Sequence, residues 1–368
     1  MNEARDMVET GLPFAAGAAA GAVLFSAFPP KGVLLPASLA VALSVLTIYS
    51  FVRSGDFRWT RAIIAIAFCM AGTFCSLNSC LTAGIDLPQG GIGRLCEKSL
   101  MKLVSQIDSI PYPSNGTGPL VKALITGDRS GLGKETIRVF RTSGASHILA
   151  LSGLHLGIIY LIMNKLTIPL GKSPTARRVR FVILVGSSCF YAVMTGASPS
   201  IVRALLFIII GETGKLLLRE RNPVRILIAA LTIQLAMKPD VISTTGFQLS
   251  YLAMLGICTV YPWLVSIYPD AGGIKGKMDP FRNIWKAASL SISCQMFTAP
   301  LVWIRFGTFP KYFLITNLIA MPLTSAVMVL SVATIALSFV GICPYALVQL
   351  NDLAVSTLLG CLDTISGL

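Results

Sequence analysis

Apolar residues gather along the chain in runs of about twenty, each closed by a short polar or Gly/Pro-containing stretch. A run of about twenty apolar residues matches a helix crossing the hydrocarbon core of a bilayer, whereas a soluble helix is apolar along one stripe only. The pattern predicts spans near 12–29, 33–52, 61–82, 147–169, 180–197, 199–218, 224–238, 246–268, 286–304, 312–340 and 345–366. Residues 312–340 are too long for one straight crossing and carry Pro322 in "NLIAMPL", so a broken or re-entrant helix is expected there. The expected total is about ten to twelve crossings. In the first span, Gly17 and Gly21 form a small-residue pair suited to close helix packing.

One sizeable stretch interrupts this pattern, residues 83–146. Within it, "GIGRLCEKSLMKLVSQI" (91–107) places Ile92, Leu95, Leu100, Leu103, Val104 and Ile107 near helical spacing, with Arg94, Lys98 and Lys102 elsewhere. An amphipathic helix lying on the bilayer surface is the expectation. "PYPSNGTGP" breaks it, and a short helix "KETIRVFRT" (134–142) follows, ended by Gly144. The fold class is therefore all-α, a polytopic integral membrane helical bundle. Its expected organisation is a three-span segment (1–82), an external amphipathic segment (83–146) and a membrane core (147–368).

Composition agrees. The chain is 54% hydrophobic and 12% charged, about half the charged fraction of a soluble domain. Six of the nine cysteines (Cys69, Cys75, Cys189, Cys258, Cys294, Cys361) lie inside apolar runs, where cysteine acts as a small hydrophobe. No CxxC or Cys/His cluster is present, which argues against a zinc site. Cys80 lies just before the external segment and Cys96 within it, and unpaired thiols are favoured there over a pairing. The acidic start "MNEARDMVET" argues against a cleaved signal peptide. Thirty Lys+Arg against sixteen Asp+Glu cluster in alternate loops: "RSGDFRWTR", "GKSPTARRVR", "RERNPVR" and "KGKMDPFRNIWK". The positive-inside rule places these loops and the N-terminus in the cytoplasm, and it explains much of the net charge without a ligand.

The chain's only two histidines, His147 and His155, stand in "SHILALSGLHLG". On one helix they are about 12 Å and roughly 80° apart. Metal bonds are about 2 Å, so the pair cannot share an ion, and no metal or other cofactor is expected. His147 is expected at the external helix mouth after a Ser146 cap. Gly153 and Gly157 form a GxxxG pair opposite His155, leaving Ser152 and His155 on a face that either lines a lumen or hydrogen-bonds between helices. Asp128 and Arg129 in "GDRSG" either meet an anionic strand, or mark a helix C-terminus with Asp128 capping the next turn and Arg129 paired to a carboxylate. Lys134, Arg138 and Arg141 put three cations on one short helix, suited to lipid headgroups or phosphates. Arg203 lies about one turn inside a span, where an arginine costs up to a few kcal/mol unless it snorkels or faces water. Glu212 and Lys215 are spaced as an ion pair. Gln248, Ser250, Gln295 and Asn317 either line a path or tie helices together. Trp263, Trp285, Trp303 and Tyr312 read as interfacial anchors.

Four stretches go beyond generic spans: "ALITGDRSGLGKETIRVFRTSGASHILALSGLHLG", "TGASPSIVRALLF", "GFQLSYLAMLGI" and "TAPLVWIRFGTFPKYFLITNLIAMPL". In this order, over roughly residues 120–325, they resemble the membrane core of the ComEC family of competence proteins. The resemblance implies a channel or permease core, not an enzyme, that passes single-stranded DNA across the bacterial cytoplasmic membrane in natural transformation. It implies a DNA path with Asp128, Arg129, His147, Ser152, His155, Arg203, Gln248 and Asn317 as candidate residues. Family members usually carry an OB-type domain and a β-lactamase-like nuclease domain. Neither is found here, nor is an HxHxDH motif or a GxxxxGK[ST] loop. A core-only member is therefore expected, with nuclease, DNA receptor and helicase-type motor as separate proteins, lipids as surroundings and a homo-oligomer as one arrangement. Core-only architecture keeps a second reading open, a permease for another anionic polymer or solute. A membrane-embedded hydrolase using Asp128, Ser152 and His155 has no GxSxG elbow or paired carboxylates behind it.

Overall fold

The structure of the protein, a computed structural model, describes residues 11–21, 66, 68–70, 72–73, 91–171, 173–217, 222–268, 279–307 and 312–367. All regular structure among them is helical. The helices are α1 (11–21), α2 (Gly91–Asp108), α3 (Thr117–Thr126), α4 (Lys134–Thr142), α5 (Ser146–Leu149), α6 (Gly153–Leu166), α7 (Pro174–Met194) and α8 (Pro199–Leu216). They continue with α9 (Pro223–Met237), α10 (Thr245–Thr259), α11 (Tyr261–Ile267), α12 (Pro280–Phe306), α13 (Phe313–Phe339) and α14 (Tyr345–Ser366). Several begin at proline. Ser173, Asn222 and Asp279 cap α7, α9 and α12, each followed by a proline whose missing N–H costs nothing in the first turn.

Five stretches among the described residues are long and apolar enough to cross a membrane: Gly153–Leu170, Thr245–Ile267, Pro280–Phe306, Phe313–Phe339 and Tyr345–Ser366. The expected span 33–52 lies outside the described residues, and those at 12–29 and 61–82 are described only in part. Two expectations change. Residues 313–339 form one continuous helix with Pro322 inside it, neither broken nor re-entrant. Helix α12 likewise runs through Pro300. At about 40 Å, such 27-residue helices exceed the roughly 30 Å hydrocarbon core and cross it by tilting or protruding. The second change is at 147–169, where the expected single helix is two, separated by extended backbone at Ala150 and Ser152.

The described chain divides into two compact units, Met1–Pro88 with Leu206–Leu255, and Gln89–Leu205 with Gly256–Leu368. In the second, α13 and α14 form a hairpin. One core cluster joins Ala320, Val327, Met328 and Ile335 of α13 to Val348, Val355, Leu358 and Leu362 of α14. The same cluster takes in Ile107 of α2, Leu120, Val121, Leu124 and Ile125 of α3, Val139 and Phe140 of α4, and Ile148 of α5. Helix α2 spans the predicted amphipathic stretch, but its Ile107 is 1% exposed in this shared core, and its Gln106 amide donates to Ser338 of α13 at 2.5 Å. Helix α3 ends at Thr126, just before "GDRSG", which matches the helix C-terminus that is one of the two readings of that turn. Its register Leu120, Val121, Leu124, Ile125 is a buried stripe, and Tyr191 of α7 donates to its Ile125 carbonyl at 2.8 Å.

Small residues set close approaches in both units. A Cβ added at Gly17 would stand 1.7 Å from the Cys69 carbonyl oxygen, and one at Gly72 2.0 Å from that of Phe14. Thr73 donates to the Gly17 carbonyl at 2.9 Å, so the packing role expected of Gly17 is met. In the other unit, a Cβ at Gly256 of α10 would fall 2.2 Å from the Ser293 carbonyl oxygen of α12.

Candidate functional site

The site grows from the break between α5 and α6. Ser152, in extended conformation, caps α6: its hydroxyl accepts from Leu154 N at 3.2 Å. His155, the third residue of the helix, folds back so that its Nδ1 accepts from Ser152 N at 3.1 Å, and it lies 3.0 Å from Ser152 Oγ. This is a reciprocal capping box built from serine and histidine. An Nδ1 that accepts a backbone N–H leaves the ring proton on Nε2. The imidazole is 1% exposed, and Nε2 has no hydrogen-bond partner among the described residues.

Helix α8 meets this elbow. A Cβ at Gly153 would stand 3.1 Å from Ala204 Cβ, 3.5 Å from Arg203 Nη2 and 3.9 Å from the Ser200 carbonyl oxygen. Glycine at 153 thus lets the first turn of α6 touch the first two turns of α8, with the Arg203 guanidinium beside them. The expected GxxxG contact is half met, because nothing stands within 4 Å of a Cβ at Gly157. Before α8 the chain turns through Gly196 (φ 82) and Ala197 (φ 47), the latter a left-handed conformation that an L-alanine adopts only under constraint. The Ser198 carbonyl accepts from Val202 N at 2.9 Å, while the Ser198 hydroxyl is buried and bonds nothing among the described residues.

The other candidates are more dispersed. His147 is exposed on α5, and the Ser146 cap expected before it is absent: the N-cap is Ala145, with no side-chain bond. Asp128 Oδ1 accepts from Ser130 N at 2.9 Å, closing the turn after α3, and this backbone bond holds the carboxyl below the ordinary carboxylate range. Stability from a lowered carboxylate is present above its unfolded value and lost as pH falls through the folded one. Protection of the Ser130 amide, the slowing of its exchange relative to an unfolded peptide at the same pH, is therefore expected to fall as pH drops below about 4, and Asp128→Asn is expected to flatten that dependence. Gly127 before it has φ 83, and a Cβ there would strike Leu151 Cδ1 at 2.3 Å, which seats the "GDRSG" turn under the α5–α6 break. Arg129 is exposed. Lys134, Arg138 and Arg141 are all exposed on α4, with Arg138 bonded to Glu135 at 2.6 Å.

Asn317 lies on α13 with its Oδ1 buried and without a partner among the described residues, whereas neighbouring Thr316 donates to the Ser143 carbonyl at 2.7 Å. Gln248 spends its amide on the Ile242 carbonyl at 2.9 Å, a local tie in the other unit. Glu212 and Lys215 form the expected ion pair. The described residues hold no His/Cys/Asp/Glu cluster able to bind a metal.

A second polar group was not anticipated from the sequence. Asp352, 9% exposed within α14, accepts from Ser114 N at 3.2 Å, Ser114 Oγ at 2.8 Å and the Thr117 hydroxyl. Asn351 Nδ2 donates to Ser331 Oγ at 3.1 Å and to the Tyr112 hydroxyl at 3.4 Å. Burial pushes the Tyr112 phenol up to about 12. The signal was present as "LNDLA", two polar residues inside an apolar run.

Comparison with known proteins bears on these motifs. The chain is 32% identical over 154 residues to ComE operon protein 3 of Bacillus subtilis, covering 42% of this chain and 19% of that protein. It is 25% identical over 317 residues to the uncharacterized protein YcaI of Escherichia coli, covering 84% of this chain and 39% of that protein. The chain thus spans well under half the length of either relative. No solved structure matches. The family model described as competence protein matches residues 124–368, a stretch that starts within α3 and includes the α5–α6 elbow, Arg203 and the α13–α14 hairpin, and on that match the chain belongs to the competence protein family.

Proposed function

We propose that the protein is the membrane core of a DNA-uptake system, passing single-stranded DNA across the bacterial cytoplasmic membrane in natural transformation. Membership in the competence family and similarity to a protein named for the ComE operon support the competence role. Five apolar helices long enough to cross a bilayer support a membrane setting. The observation that carries the reading is the α6–α8 junction, where two of the family-like motifs meet through Gly153 and Arg203. Cationic and hydrogen-bond-donating groups held inside an apolar bundle suit a polyanion, and such groups are too costly in a membrane to be kept for packing alone. The exposed cations of α4, Lys134, Arg138 and Arg141, then gather phosphates at the outer face, with the N-terminus cytoplasmic.

In this reading the chain conducts and does no covalent chemistry. Strand processing, capture and motor work fall to separate nuclease, receptor and helicase-type proteins, and the core works alone or as a homo-oligomer. The test is nuclease-protected uptake of a labelled single strand by liposomes holding the purified protein. Arg203→Gln is expected to reduce protected DNA at least about tenfold, the effect of removing one charged hydrogen bond of about 1.5 kcal/mol or more. Binding that weakens steeply with salt should persist in the variant through the α4 cations. Wild-type protein that neither binds nor protects DNA would turn the assignment toward another anionic solute.

A further inference from the structure

The groups at the α6–α8 junction have a chemistry more specific than a cationic lining. Helices α6 and α8 are 14 and 18 residues long, and the start of α6 at Gly153 touches the first two turns of α8 at Ser200 and Ala204. The two helix N-termini present the positive ends of their peptide dipoles here. Neither the 146–157 nor the 195–207 stretch contains an Asp or Glu that would neutralise them locally.

Side chains add to this. His155 lies across the first turn of α6 with Nδ1 held by Ser152, so Nε2–H is a donor of fixed direction, and it is buried with nothing to bond among the described residues. A buried donor left unsatisfied destabilises the fold, and a ligand oxygen would recover that loss. The Ser198 hydroxyl at the head of α8 is in the same condition. The left-handed Ala197 before it is local strain of the kind that accompanies a binding turn. Arg203 supplies a planar fork that matches phosphate oxygens.

We propose that the α6–α8 junction is a phosphate-binding site, with His155 Nε2, the Ser198 hydroxyl and Arg203 as donors, and that it takes the phosphodiester groups of the passing strand. The strand as source rests on the function proposed above; the phosphate chemistry rests on the junction itself.

Two histidines in the whole chain make the site directly observable. The protein is labelled with ¹⁵N-histidine, placed in zwitterionic lipid nanodiscs, and its imidazole resonances are assigned with His147→Gln. Inorganic phosphate and then an oligothymidylate are titrated in. The His155 Nε2 resonance is expected to move with both, and the midpoints are expected to weaken at least about tenfold in Arg203→Gln and less in Arg203→Lys. His155→Gln keeps an acceptor for the Ser152 N–H, so the fold is retained while the fixed donor is lost. It is expected to weaken oligothymidylate binding measured by fluorescence anisotropy.

No movement of His155 with either anion overturns the site. Oligothymidylate that binds without moving His155 overturns it too, while the DNA-uptake reading stands. Movement with phosphate but no oligothymidylate binding anywhere removes the strand as source, and the DNA reading falls with it. Movement on adding anionic lipid to the discs, but not oligothymidylate, assigns the phosphate to headgroups and likewise overturns the proposal.

Discussion

Gly256→Val is expected to destabilise the protein by about 3 kcal/mol or more, read as a fall in the denaturant midpoint of the detergent-solubilised chain. The glycine sits in α10 where it crosses α12, and a Cβ there would be 2.2 Å from the Ser293 carbonyl oxygen, 3.0 Å from its carbonyl carbon and 3.0 Å from Phe297 Cδ2. A side chain can rotate out of the way, but a helical backbone carbonyl cannot. The two helices must separate over several residues, giving up dispersion contacts along the seam. Ser289 and Ser293, both fully buried on α12, show how tightly that helix is packed. Gly256→Ala meets the same oxygen with a smaller wedge, so a loss ordered Val above Ala is expected. Valine at Gly157, where a Cβ meets nothing within 4 Å, is the internal control and is expected to change the midpoint far less. Equal midpoints for Gly256→Val and wild type would refute the close crossing.

Asp352→Ala is expected to cost about 3 kcal/mol and to release the 109–117 loop. The carboxylate accepts three hydrogen bonds, from Ser114 N, Ser114 Oγ and the Thr117 hydroxyl, so it fastens both the loop and the start of α3 to the α13–α14 hairpin. Deleting it leaves donors unsatisfied in a site 9% exposed, each at the cost of a lost charge-assisted bond. Hydrogen exchange at the amides of 112–117 should rise more than at those inside α13. Asp352→Asn keeps one acceptor oxygen and is expected to retain part of the protection. Unchanged exchange in Asp352→Ala would mean that the apolar face of α3, with Leu120 and Leu124 at 0% and 1% exposure, holds the loop without the carboxylate.

Much of the helical layout was legible beforehand. The stretch 134–142 is helical over the predicted residues, α2 matches the amphipathic stretch at 91–107, and Gly17 packs against a neighbouring backbone. Those readings rest on local pattern: spacing of apolar residues, a glycine after the last turn, small residues four apart. The candidate site was read less well. Arg203 and His155 were singled out from cost and rarity, but the helix assumed to carry His147 and His155 together is broken between them. Nothing in "LALSG" forbids a helix by propensity, and what opens it is the Ser152–His155 capping box together with Leu151 seated over Gly127. Pro322 misled in the opposite direction, because a proline breaks a helix in water but neighbouring helices tolerate it within a bundle.

The sequence by itself determined that this is a helical membrane chain of the competence type, because about twenty apolar residues in a row, and a set of Gly, Ser, His and Arg in fixed order, are properties of the chain before it folds. Only the tertiary structure decided which polar groups meet. Arg203 lies fifty residues from Gly153, and Asp352 more than two hundred from Ser114. Such pairs are set by how helices cross, and crossing depends on the steric fit of many side chains together, information spread over the chain and not carried by any one stretch of it.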